Sequence, residues 1–240
     1  MFIKSFTLLD LDSSEERGGT SLSNSAEAQL AVHLYSTLDK VTSGDLSKYK
    51  VAVITPYKEQ ISVLKRMFDQ HFFKLNKKRK TPNNIEIHTV DSYQGKEADI
   101  VFFSCVRASG NKTIGFLSDV RRMNVALTRA KHFLFVIARV KSIVVNPYWR
   151  ELVAHAREKK AVVHVPIIYS SSSSSNTSGG GRNNRGNISF PDLKTLKALP
   201  PLPPQEKERI SKILNKHQEQ MKQKEVINEE EEGELSDFSA

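Results

Sequence analysis

Two arginines seven residues apart, Arg122 and Arg129, stand in the stretch SDVRRMNVALTRAKHFLFVI from Ser118 to Ile137. Guanidinium is a planar, permanently charged fork that binds phosphate through paired hydrogen bonds, so an arginine fixed at the edge of a core suits an anionic ligand. The same spacing also fits a solvated arginine beside a carboxylate. In TVDSYQGKEAD, from Thr89 to Asp99, Gln94-Gly95 lets the backbone approach a ligand closely. Glu97, two residues on, offers a carboxylate that can accept hydrogen bonds from a sugar hydroxyl. A tight polar turn between two strands would use these residues equally well. Two further polar loops follow apolar segments: NSAEA (Asn24–Ala28) and ITPYKEQ (Ile54–Gln60).

The elements that must position these residues follow from periodicity. At about 100° per residue, Val120, Met123, Ala126, Leu127 and Ala130 share one helical face, which predicts a helix with Arg129 on its last turn. It runs into a short β-branched and aromatic strand, His132–Ile137. Upstream, Phe6–Asp12 reads as a strand, SSEERGGTSLSNS as an acidic loop, and Glu27–Leu38 as a helix with Ser25 as its N-cap. Strands are expected at Val51–Thr55, Ile85–Val90, Asp99–Cys105 and Val162–Val165. Helices are expected around Ile61–Phe68, with Pro56 near the start, and from Pro147 to Lys159. Strands alternating with helices over short links predict an α/β layer fold with a largely parallel sheet, which gathers ligand contacts next to strand ends.

The 240 residues carry a formal net charge of +9, unevenly placed. Lysine plus arginine outnumber aspartate plus glutamate 26 to 16 over residues 1–168 and fall short, 10 to 11, over 169–240. The basic excess thus lies in the part with a foldable pattern and suits a polyanion such as nucleic acid. There is no apolar run of about 18 residues, so a membrane partner is not expected. Cys105 is the only cysteine, which excludes an intrachain disulfide and a cysteine zinc cluster and points to a reducing compartment; no metal site is expected. Past Tyr169 the composition changes to serine, glycine and asparagine, then a proline run, a charged segment able to form a helix over Glu206–Val226, and an acidic end, INEEEEGELSDFSA. We therefore expect a domain over 1–168 and a low-complexity, mostly disordered tail over 169–240.

Taken together and in order, the loops resemble a known family. TVDSYQGKEADIVFFSCVRASGNKTIGFLSDVRRMNVALTRAK is similar to motifs V and VI of the superfamily 1 helicases, in the branch of senataxin and the nonsense-mediated-decay helicase. ITPYKEQ resembles motif IV, and NSAEA the Asn-x-x-Glu-Ala helix start before it. The resemblance covers roughly residues 5–168. It implies a RecA-like three-layer fold, the second of two motor halves that enclose ATP with Mg²⁺ and pass single-stranded RNA or DNA across both, and a nuclear location. By matched position, Arg129 resembles the arginine finger that meets the γ-phosphate, and Gly95 and Glu97 the residues near the nucleotide phosphate and ribose. Thr55, Pro56 and Thr89 match positions that touch the nucleic-acid backbone; Arg122, for which no phosphate role follows, is expected to support the site rather than contact ATP. Several members have an arginine where this chain has Ser25; the second phosphate-binding cation that it implies is expected to be absent here or to come from elsewhere, as in senataxin-like members that also lack it.

No GxxxxGK[ST] loop occurs in the sequence, and no Asp-Glu strand of the kind that holds Mg²⁺. SGNKTIG (Ser109–Gly115) lacks the Gly-Lys pair. The phosphate cradle is therefore expected from an N-terminal RecA-like half. The competing expectation is a nucleic-acid-binding module that kept the domain and lost the motor.

Overall fold

The computed structural model describes residues 4–75, 81–109, 114–169, 188–192 and 195–200, with isolated positions 205, 208, 212 and 219 beyond. Alternating side chains on β-branched and aromatic strands decide the architecture. Six strands form one sheet in the order β5-β4-β6-β7-β1-β8, every neighbouring pair parallel. They are β1 (Phe6–Leu11), β4 (Val51–Thr55), β5 (Ile85–Thr89), β6 (Ala98–Ser104), β7 (Ala130–Ala138) and β8 (Val162–Val165). A hairpin of β2 (Glu16–Gly18) and β3 (Ser21–Ser23) turns through Gly19, whose φ is +57°.

Because successive strand residues point to opposite faces, the sheet supplies two cores. Leu9, Val51, Val53, Phe102, Phe135 and Ile137 face α1 (Ser25–Val41) and α2 (Lys58–Leu75). Leu8, Ala52, Ile54, Phe103, Leu134 and Val136 face α3 (Val120–Leu127), α4 (Val140–Ile143) and α5 (Pro147–Glu158). The result is the expected RecA-like three-layer α/β arrangement. Trp149 on α5 is fully buried, stacks on Phe103 with centroids 6.2 Å apart, and donates from Nε1 to the Leu117 carbonyl at 2.8 Å. Burying a side chain of this size stabilises by about 1.5–3 kcal/mol, and the hydrogen bond removes the penalty on its polar tip.

Three local expectations change. The helix around the arginines ends at Leu127 with Thr128 as C-cap, so Arg129 lies beyond it and the strand begins at Ala130. Pairing explains this: Ala130 sits beside Ala98, and the Ala98 N–H donates to the Arg129 carbonyl at 3.1 Å. The N-cap of α1 is Asn24, not Ser25, its side chain accepting from the Glu27 N–H at 3.1 Å. The acidic loop after β1 contains the β2–β3 hairpin, missed because strands of three residues carry almost no periodicity.

The packing also runs past residue 168. β9 (Ile168–Tyr169) pairs antiparallel with β10 (Ile188–Ser189), and Ala198 bridges Val163, antiparallel on the free side of β8. Leu199 donates to the Val162 carbonyl at 2.7 Å, and the Phe190 ring lies 5.6 Å from that of His33 on α1. The helix expected over Glu206–Val226 and the acidic end fall largely outside the described residues. Among those described, Lys212 pairs with Glu208 one turn away at 2.8 Å.

Candidate functional site

With all six strands parallel, the sheet has one edge where strands begin and one where they end, roughly 20 Å apart along β6 at 3.3 Å per residue. Gly95, Glu97 and Arg129 gather at the first edge; Thr55, Pro56 and Thr89 lie at the second.

At the starting edge, Tyr93 is fully buried and its hydroxyl donates to the Glu97 carbonyl at 3.2 Å, pinning the turn from Gln94 to Glu97. Gly95 takes φ +78° there, a left-handed conformation that disfavours side chains with a Cβ. Glu97 is exposed. Across from this turn, Arg129 is half-buried and its guanidinium is folded onto the C-terminus of α3. Nε donates to the Val125 carbonyl at 2.9 Å, Nη2 to the Thr128 hydroxyl at 2.8 Å, and Nη1 to the Lys96 carbonyl at 3.4 Å. Among the described residues no carboxylate lies within ion-pair distance of it. Among the described residues the guanidinium is thus held by two carbonyls and a hydroxyl rather than by a carboxylate.

Arg122 does different work. Its Nε is 3.1 Å from the Asp91 carboxylate, and its guanidinium stacks over the Phe116 ring at 5.0 Å, joining α3 to the loop after β5. Ser25 opens α1 at the ending edge, where its neighbour Asn24 bonds to Gln60 and Val106. Ser25 and Arg129 thus stand at opposite edges of the sheet.

The ending edge is built on a buried polar network. The Glu27 carboxyl is fully buried; it accepts from the Ser104 hydroxyl at 2.7 Å and the Val106 N–H at 2.9 Å, with the Asn24 amide 3.3 Å away. Gln60 accepts from the Asn24 N–H at 2.8 Å and donates to the Asn24 carbonyl and the Ser104 hydroxyl. Burial pushes the Glu27 pKa up to about 8 against the pull of these hydrogen bonds. The network holds Val106 at φ +68°, an outlier for a β-branched residue, with Asn24 donating to its carbonyl at 3.2 Å. Strain of this kind, of order 1–3 kcal/mol, persists only where surrounding bonds fix it. Thr55 is fully buried, its hydroxyl oxygen accepting from the Tyr57 N–H at 3.4 Å, so its side chain is closed to a ligand. Pro56 is half-buried, and Thr89 exchanges hydrogen bonds with Ser92.

Sequence reasoning noticed the Asn24–Ala28 and Ile54–Gln60 loops without the network that joins them. The signal was there: a glutamate followed by alanines on the buried side of a helix has to find donors. Nothing in the sequence marked Val106. Among the described residues no three metal-ligating side chains converge, and no helix is long and apolar enough to cross a membrane.

The AAA domain family matches residues 2–141. A "probable helicase" of Dictyostelium discoideum is 36% identical over 150 residues, 62% of this chain and 14% of that protein. The regulator of nonsense transcripts 1 homolog of Neurospora crassa is 37% identical over 150 residues, 62% of this chain and 13% of its own length. The "probable helicase senataxin" of Homo sapiens is 33% identical over 153 residues, 63% and 5% respectively. The chain thus spans at most 14% of these three relatives. With most of its folded part matched and relatives of one kind, the chain belongs to the AAA domain family, in the senataxin and nonsense-transcript-regulator branch of the superfamily 1 helicases.

Proposed function

We propose that this chain is the second motor domain of an ATP-dependent RNA or RNA–DNA helicase, with residues 1–168 as its RecA-like body. The observation that carries the reading is the Arg129 guanidinium, held by carbonyls and without a carboxylate partner among the described residues, next to the exposed Gly95–Glu97 turn. These residues fit one wall of a nucleotide site: Arg129 would hold the terminal phosphate, Glu97 would accept from a ribose hydroxyl, and Gly95 leaves room for close approach. Bound ATP supplies the phosphoryl group that is transferred. An arginine that meets its developing charge is worth about 10³–10⁵ in rate. Mg²⁺ accompanying the nucleotide would be held by one or two carboxylates and the phosphates, mainly on the N-terminal half, and no step is assigned to the ion here. The phosphate cradle belongs to an N-terminal RecA-like half, the chain's expected partner. Single-stranded RNA or DNA runs along the opposite edge, at Pro56, Thr89 and the backbone of Thr55.

The test is in two parts. The 240-residue chain alone is expected to show no RNA-stimulated ATP hydrolysis. In a motor that unites it with an ATP-cradling half, Arg129→Ala is expected to abolish turnover while leaving RNA affinity within a few fold. Turnover near the parental rate would remove Arg129 from this role and favour a nucleic-acid-binding module without motor chemistry.

A further inference from the structure

On the ending edge of the sheet one aromatic ring is exposed in a setting built to hold it still. Phe116 lies in the turn Gly115–Ser118 and is 51% exposed, while its neighbours Ile114 and Leu117 are each 3% exposed. Gly115 before it has φ +57°, and a Cβ there would meet the Tyr57 hydroxyl at 3.2 Å. Both facts favour glycine, which sets the approach of the chain to Phe116. The Trp149 Nε1–H bond to the Leu117 carbonyl anchors the other side. Tyr57, directly after Pro56, meets the Phe116 ring edge-on at 5.7 Å and 80°, and the Arg122 guanidinium covers it at 5.0 Å, itself held by Asp91. Exposed cations at Lys58 and Arg121 stand next in sequence to Tyr57 and Arg122, and no carboxylate lies within ion-pair distance of either among the described residues.

A rigid, half-exposed ring flanked by cations is what a single strand needs to seat a base: the π-face is sequence-tolerant, and the cations track the phosphates. We propose that Phe116 is a stacking platform for one nucleobase of a single-stranded nucleic acid, with Tyr57 and Arg122 as the residues that position it. The proposal deepens the reading of this edge as the nucleic-acid track and rests on it.

The experiment measures binding of the full chain to a labelled uridylate strand of about 12 nucleotides, and to an abasic strand of equal charge, at two salt concentrations. Removing one stacked base costs roughly 5- to 150-fold in affinity. Phe116→Ala is expected to show that loss on the uridylate strand and none on the abasic strand, with the salt slope unchanged because no charge is removed. Phe116→Trp is expected to bind the uridylate strand within about threefold of the parent, since a larger ring still stacks. Equal affinity of Phe116→Ala and parent for uridylate would overturn the platform, as would a loss that persists on the abasic strand. Failure of the unaltered chain to bind either strand would overturn both the platform and the reading of this edge. Binding without preference for bases would overturn the platform alone.

Discussion

Glu27 gives the most quantitative test of how this domain is held together. Its carboxyl is fully buried, its pKa is pushed up to about 8 by burial, and its unfolded value is 4.5. Between those values the folded state binds a proton that the unfolded state has released. The Glu27 contribution to stability is therefore complete below pH 4.5 and is lost as pH rises through 8. One pKa unit is worth about 1.4 kcal/mol, so the full loss is about 5 kcal/mol, of which about 2 kcal/mol falls between pH 6 and 8. For a domain of this size that is a drop in Tm of about 4–8 °C. Glu27→Gln keeps the shape and cannot ionise, so its stability relative to the parent should improve by this amount over the interval, whatever its offset at pH 6. Chemical denaturation of both proteins from pH 5 to 9 reads the difference directly. Parallel profiles would refute the reasoning, because they would mean that Ser104 and the Val106 N–H stabilise the carboxylate enough to cancel the cost of burial.

Three further outcomes are expected. Arg129→Lys in the assembled motor should lose nearly as much turnover as Arg129→Ala, because a lysine cannot bond the Val125 carbonyl and a phosphate as a planar fork; steady-state hydrolysis measures it, and recovery to the parental rate would reduce Arg129 to a point charge. Gly95→Ala should destabilise by about 1–2 kcal/mol through its left-handed backbone alone, since no atom lies within 4 Å of the added Cβ; a melting temperature equal to the parent's would show that the turn relaxes. Truncation after Tyr169 removes the partly buried Ile188, Phe190, Leu196 and Leu199; with the ordering entropy of that segment offsetting most of the gain, a net loss of about 1–2 kcal/mol and a Tm lower by about 2–8 °C are expected. An unchanged Tm there would mean that the segment docks without stabilising.

The long elements were legible because their periodicity is strong: Val51–Thr55 was found to the residue, and Pro147 as a helix start. Where sequence reasoning slipped, a tertiary partner outvoted a local pattern. Ala130 completes the apolar stripe of a helix, yet pairing with Ala98 makes it strand, and that moves Arg129 from a helix face to a helix terminus. Thr55 stands at a strand end where contact with a ligand is natural, but the residue is buried and its hydroxyl oxygen accepts from the Tyr57 N–H. Beyond the serine and glycine run after Tyr169 lie antiparallel partners of β8 and β9, and two-residue strands announce nothing in advance. Phe116 was passed over because one exposed aromatic has no period, and only its geometry with Tyr57 and Arg122 singles it out.

The position of Arg129 has an energetic consequence for the proposed motor. The carbonyls at the C-terminus of a helix want donors, and Arg129 supplies one to Val125 while its other donors rest on the Thr128 hydroxyl and the Lys96 carbonyl. Turning toward a phosphate would give up some of these bonds, at about 1 kcal/mol each, in exchange for charge-assisted ones worth about twice as much. In that proposed motor the arginine would be stored near its place of use at low cost. The helix α3 has eight residues, about 12 Å. Its first turn carries Arg122 against Phe116 and Asp91, and its last turn offers the Val125 carbonyl to Arg129. In the proposed motor, a base seated on Phe116 and a phosphate drawing on Arg129 would act on opposite ends of this one helix.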